Sequence, residues 1–411
     1  MKTTIKMASS VAVAKASSSI LSRARLPAVS GCLVVQHRNN SSNSLITSVD
    51  QMKRGTGGRS SFSGVVATVF GANGFLGRYV CNKLGKVGSQ VIIPYRCDPY
   101  EVERLRLVGD LGQVLFFPFH LRDEAAIRKT VQYSNVVINL IGREWETKNF
   151  SFDAVHAEGA RRIARISKEC GVKTFIHVSH LNAKANPQRI WKGSKLLESK
   201  YASELAVREE FPEAIIFKSA DMYGSEDNFL HYFNLRSRWS ILPNGIPLWK
   251  KGEHTIKQPV YVGDVAEGIV KSISAPDMAG KTIECVGSQR YYLADIVDYI
   301  IRVLRREEFL RRTDRTLILR IKAMLLDYIP SRVWYNLDKL EREGITDWTD
   351  PANPTLEDLG VNLTQFDVMA YYVLFRYRRN AYYSEKLGEF ADPEPPKPAE
   401  FYSEKPKFAV T

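Results

Sequence analysis

The chain has 411 residues and a formal net charge of +13. Its apolar and charged content is that of a globular protein, which excludes collagenous and wholly disordered classes. No stretch approaches the roughly 18 unbroken apolar residues of a membrane-spanning helix, and the five scattered cysteines (Cys32, Cys81, Cys97, Cys170, Cys285) form no Cys-x-x-Cys pair, which speaks against a metal site or a disulfide framework.

Much of the basicity lies at the start. Residues 1–49 carry Lys2, Lys6, Lys15, Arg23, Arg25 and Arg38 and no acid, which leaves +7 on the rest. This Ser- and Ala-rich, acid-free segment lacks the apolar core of a secretory signal and reads as a mitochondrial transit peptide over residues 1–50. Cleavage is expected between Arg38 and Ser61. A polar, Gly-rich arm, 51–63, follows.

From residue 64 strands and helices alternate. Val65–Phe70 is an apolar, β-branched strand. It meets glycines at 71, 74 and 77, and a helix follows with Phe75, Leu76, Val80 and Leu84 at helical spacing. One glycine permits a sharp turn, one lets backbone approach a pyrophosphate, and one lets helix and strand pack closely. The free N–H groups of the helix start then face an anion. Strand, turn and helix together make this a dinucleotide site, contributed by Gly71, Asn73, Gly74, Phe75, Leu76, Gly77 and Arg78. The next strand, Val91–Tyr95, precedes a helix over Pro99–Val108. Val114–Phe117 and Val136–Ile141 are further strands, with a helix over Asp123–Val131 between them. The unbroken apolar run at 136–141 suits a central parallel strand buried on both faces. Helices are expected over Asp153–Glu169 and Trp191–Glu209, and strands over Thr174–Val178 and Ala214–Phe217. Such alternation means right-handed βαβ units in a doubly wound α/β sheet.

The second strand ends in Tyr95-Arg96. An acid there would bond a ribose 2′-hydroxyl; an arginine favours a 2′-phosphate, and so NADP(H) over NAD. Asp98, two residues on, points the other way. The strand end Leu140-Ile141-Gly142 lies where backbone meets a bound dinucleotide in such sheets. Past Tyr223-Gly224 the alternation loosens. The nucleotide domain is taken as 64–290, with segments of a smaller, α-rich C-terminal subdomain interleaved from about 225. Residues 291–390 combine a crowd of cations (Arg302 to Lys322) with apolar residues and an aromatic run over Phe366–Tyr383. This reads as a basic amphipathic region meeting an anionic membrane surface or a partner, against the plainer reading of a solvated basic face. No recognition motif for nucleic acid is present. Residues 391–411 form a Pro-rich, extended tail.

Several motifs together resemble the extended or atypical short-chain dehydrogenase/reductase family: Gly71-x-x-Gly74-x-x-Gly77, Asn139-Leu-Ile-Gly142, Ser179, Ser194-Lys195 and Gln258-Pro-Val-Tyr-Val-Gly-Asp-Val-Ala. The resemblance implies a Rossmann fold with a smaller substrate-domain remnant. It also implies roles for Ser179, which orients a carbonyl in active members, and Lys195, which holds the ribose. In that register the acid/base tyrosine is replaced by Trp191, whose indole N–H is a donor with no usable pKa. The segments Ile92–Cys97, Val136–Arg143, Trp145–Phe150 and Phe175–Asn182 resemble, more narrowly, the branch of the family that serves as accessory subunits of mitochondrial respiratory complex I. That closer resemblance implies a peripheral, matrix-side subunit of the inner membrane. It would hold NADPH without turnover, near the quinone site where the two arms of the complex join, with other complex I subunits as partners. The alternatives are an active NADP(H)-dependent reductase or epimerase using His177, His180 or Lys195, and a binding module that reports nucleotide redox state.

Overall fold

The structure, a computed structural model, describes residues 55–238, 246, 248–306, 321, 324, 336–380 and 391–399. The expected leader, the first residues of the arm and the basic run at 307–320 lie outside the described residues.

Six strands build most of the sheet: β1 (Val66–Phe70), β2 (Gln90–Tyr95), β3 (Val114–Pro118), β4 (Val136–Asn139), β5 (Thr174–His180) and β6 (Ile215–Ser219). The short β7 (Met222–Tyr223), β8 (Ile256–Lys257) and β9 (Val260–Tyr261) precede β10 (Thr282–Cys285), which closes the main sheet, and β11 (Tyr291–Tyr292) follows. The order is β10-β6-β5-β4-β1-β2-β3, and every pair is parallel. This is the doubly wound α/β architecture. The order reverses direction between β1 and β4, and in such sheets the crevice beside that point takes the ligand. All residues of β1 and β4 are buried, as expected of central parallel strands covered on both faces. Pro94 is tolerated in β2 because β1 pairs with β2 only as far as Ile92.

Helices α1 (Phe75–Lys86), α2 (Pro99–Val102), α3 (Glu124–Val131), α4 (Gly159–Glu169) and α5 (Lys195–Glu210) provide the early crossovers. Asp123 caps α3 by accepting from the Ala126 N–H at 3.2 Å. The expected helix at 99–108 is instead α2 continued by a 3₁₀ stretch, Glu103–Val108. The expected helix at 153–169 opens with a π turn, Ala154–Glu158.

A second apolar core unites α6 (Leu230–Arg238), α8 (Leu293–Val303) and α10 (Phe366–Phe375), with Leu230, Phe233, Ile300 and Phe366 buried in it. This is the smaller subdomain. Helix α7 (Val262–Ser272) packs beside α1 on the sheet, so the chain passes between the two cores more than once. The segment expected to be one amphipathic region, 291–390, divides where it is described. Helix α9 (Leu337–Glu343) goes to the crevice, Leu356 and Val361 join the sheet's core, and α10 joins the second core. Of the tail, residues 391–399 are extended, and the Ala399 N–H donates to the Arg290 carbonyl at 2.7 Å.

Candidate nucleotide-binding site

The turn after β1 is built by close approach. Gly71 has φ +82°, and a Cβ there would meet the Leu140 carbonyl group at 3.0 Å. A Cβ at Gly77 would lie 2.6 Å from the Ala72 Cα, so α1 packs on the turn only because that position has no side chain. Gly74 is the N-cap of α1 and offers no side-chain acceptor, and the first turn of the helix holds no acid. Its leading N–H groups are left for an anion.

Two connected lobes open beside this turn. The larger, about 730 Å³, is lined by Gly71, Asn73, Arg96, Leu140, Ile141, Gly142 and Arg143 among others. The smaller, about 440 Å³, is lined by Gly74, Phe75, Leu76, Gly77, Ser179, Leu196 and Lys200 among others. Eleven of the sequence-predicted site residues therefore meet around one crevice. Asn73 is fixed by the Arg104 guanidinium, which donates to its Oδ1 at 2.7 Å. Arg96 and Arg143 stand in the larger lobe, and no carboxylate pairs with either among the described residues. Burial, then the like charge of Arg96, pushes the Arg143 guanidinium below its usual range. Two adjacent cations without a counter-ion suit a phosphate.

Two predicted residues are elsewhere. Arg78 is turned to the Asn73 carbonyl and to Glu226, and does not line the crevice. Lys195 is two-thirds exposed, and its ammonium lies 3.8 Å from Glu146. Gly193, at φ +88°, breaks the expected helix, and Ser194 then caps α5 by accepting from the Leu197 N–H at 3.3 Å. The helix thus begins at Lys195, and Trp191 lies before it.

The lysine in the crevice is Lys200. Its ammonium donates to the Val178 carbonyl at 3.1 Å, and a Cβ on Gly142 would lie 3.3 Å from it. Burial pushes it down to about 8, against the pull of Glu204. Four residues before it stands Leu196, 4 % exposed. Ser179 gives its proton to Glu204 at 2.5 Å, and Glu204 is in turn paired with Lys218 at 2.9 Å. Burial holds the His177 and His180 imidazoles near 3, so both are neutral at physiological pH. His177 is spent on Ser203 and Asn139, at 3.0 and 3.3 Å, and does not line the crevice.

A family model described as the NAD dependent epimerase/dehydratase family matches residues 67–285. The mitochondrial NADH dehydrogenase (ubiquinone) 1 alpha subcomplex subunit 9 of Mus musculus is 49% identical over 335 residues, which are 82% of this chain and 86% of that one. The chain belongs to the NAD dependent epimerase/dehydratase family, in the branch of these subunits. The mitochondrial NADH-ubiquinone oxidoreductase 40 kDa subunit of Neurospora crassa is 38% identical, covering 80% of this chain and 84% of its own. Among solved structures, the NADPH-dependent quinone oxidoreductase QOR2 of Escherichia coli, complexed with NADPH, has the same fold at TM-score 0.57 and 16% identity, over 75% of this chain and 100% of its own.

The crevice fits the epimerase/dehydratase family's dinucleotide. The space that a Cβ at Gly71 or Gly77 would fill is kept clear, and α1 starts without a side-chain cap. Sequence reasoning missed Lys200 and Arg143, and also Lys339 and Arg342, which line the crevice from α9. A signal for Lys200 was present. With Ser194 as cap, Leu196, Ser199, Lys200, Ser203 and Val207 share one face of α5, which puts Lys195 on another.

Proposed function

We propose that the chain is an accessory subunit of mitochondrial respiratory complex I that holds NADPH as a structural cofactor without turning it over. The observation that carries this is the pairing of an open glycine turn with Lys200 and Leu196. The binding groups are in place, while the position four residues before the lysine carries a side chain with no proton to give. Bound NADPH would supply a hydride donor. The first-turn N–H groups of α1 bind its pyrophosphate, and Arg96 and Arg143 counter the 2′-phosphate. Lys200 donates to the ribose, the role that the family resemblance implied for Lys195. The proton of Ser179, engaged with Glu204, is not offered to a carbonyl.

The placement follows the same reading. Residues 1–50 act as the transit peptide, and the mature chain sits on the matrix side of the inner membrane. There it supports the junction of the hydrophilic and membrane arms near the quinone site. Among the described residues no helix is long and apolar enough to cross a membrane, in keeping with a peripheral subunit. Exposed Tyr372 and Phe375 on α10, beside exposed Arg376 and Arg379, support contact with other subunits or anionic lipid. Depleting the chain in cells and resolving native complexes by size tests this. The mature chain should migrate with assembled complex I, and its loss should lower the amount of complete complex. NADPH-dependent carbonyl turnover by the purified chain would overturn the non-catalytic part.

A further inference from the structure

Helix α9 lies far along the chain from the glycine turn, yet it walls the crevice. Asn336 and Lys339 line the larger lobe, and Lys339, Arg342 and Glu343 line the smaller. Lys339 therefore borders both lobes, beside any ligand that spans them. Its ammonium donates to Glu144 Oε2 at 3.4 Å and to the Asn228 carbonyl at 3.2 Å. The Asn228 amide donates to Glu144 Oε1 at 3.3 Å, and the Asn336 amide donates to the Glu144 carbonyl at 2.8 Å. Glu144 follows β4 and Asn228 precedes α6, so these bonds tie the sheet, the smaller subdomain and α9 across one mouth.

Two acids of α9, on either side of Lys339 in the chain, are anchored as firmly. Glu341, 2 % exposed, accepts from the Ile190, Trp191 and Gly193 N–H groups at 2.6, 2.9 and 3.2 Å. Asp338 accepts from the Ser194 hydroxyl at 2.9 Å and from the Leu196 N–H at 3.3 Å. These two acids fix the start of α5, and so the helix that carries Lys200. Beyond the helix, Asp347 accepts from the Asn182 amide at 2.8 Å and the Gln258 N–H at 3.0 Å.

We propose that α9 is a clasp that retains the nucleotide, with Lys339 latching the mouth against Glu144 and Asn228 and Glu341 positioning the α5 start. This rests on the nucleotide reading above. The contacts among Glu144, Asn228 and Lys339 must part for entry and escape alike, so the clasp slows escape more than entry because a bound nucleotide strengthens them. Binding is reciprocal, so a nucleotide that the clasp retains must in turn stabilise the clasp.

The test uses the purified full chain loaded with NADPH, whose fluorescence is followed during a chase with excess NADP⁺. Lys339→Met keeps the stem and removes the ammonium. It should speed NADPH release at least tenfold, with the association rate changed less than twofold and the helical circular dichroism retained. Glu341→Gln should also speed release. Hydrogen exchange at amides 337–343 and 190–197 in the unmodified chain should slow when NADPH is bound. Release unchanged in Lys339→Met, or exchange in α9 indifferent to NADPH, overturns the clasp while leaving the nucleotide reading intact. An unmodified chain that binds no NADPH overturns both.

Discussion

His177 is 1 % exposed beneath the crevice and held near 3 by burial and by Lys200. In the unfolded chain it titrates near its ordinary value of 6.5. Between those values only the unfolded chain takes up the proton. The stability from keeping this ring neutral is full above about pH 6.5 and is lost as pH falls towards 3, at about 1.4 kcal/mol per pH unit. His177→Gln keeps a donor and an acceptor for Ser203 and Asn139 without titrating. Urea unfolding should give this variant a stability slope shallower by about 1 kcal/mol per unit between about pH 6 and 4.5. Identical slopes would contradict the assignment. Single residues were the hardest to read from sequence. Arg96 was legible because it sits at a strand end whose chemistry is constrained. Lys200 was not, because one glycine with positive φ moved the start of α5 and with it the lysine that faces the crevice.

At the scale of elements, the β1–turn–α1 unit was legible because pattern and backbone geometry agree on it. Its weak point is Gly77. A side chain there strikes backbone at Ala72, which no rotamer change relieves. Gly77→Val should cost about 2–4 kcal/mol in unfolding free energy and strip the purified chain of nucleotide. A variant with unchanged urea midpoint and full nucleotide content would show that the turn is not under this constraint. Helix α9 was the opposite case. Leu-Asp-Lys-Leu-Glu-Arg-Glu reads as an ordinary charged surface helix, and its acids and lysine meet partners 111 to 195 residues away. Local sequence does not carry that information. For the same reason the 291–390 region, read as one amphipathic surface, divides between the crevice and two cores.

At the scale of the whole molecule, the parallel sheet positions the crevice and the smaller subdomain closes it. Both cores lean on segments that cross between them, so a ligand in the crevice touches the contacts that join them. A nucleotide present at about 100 times its dissociation constant would add about 2.7 kcal/mol to folding by mass action alone. That makes a bound cofactor a structural part without any chemistry. The most direct test is to purify the chain within its native assembly, extract it with acid or alkali, and quantify dinucleotides by mass spectrometry. A structural cofactor should give close to one NADP(H) per chain. An extract without dinucleotide, or with NAD(H) in its place, would contradict it.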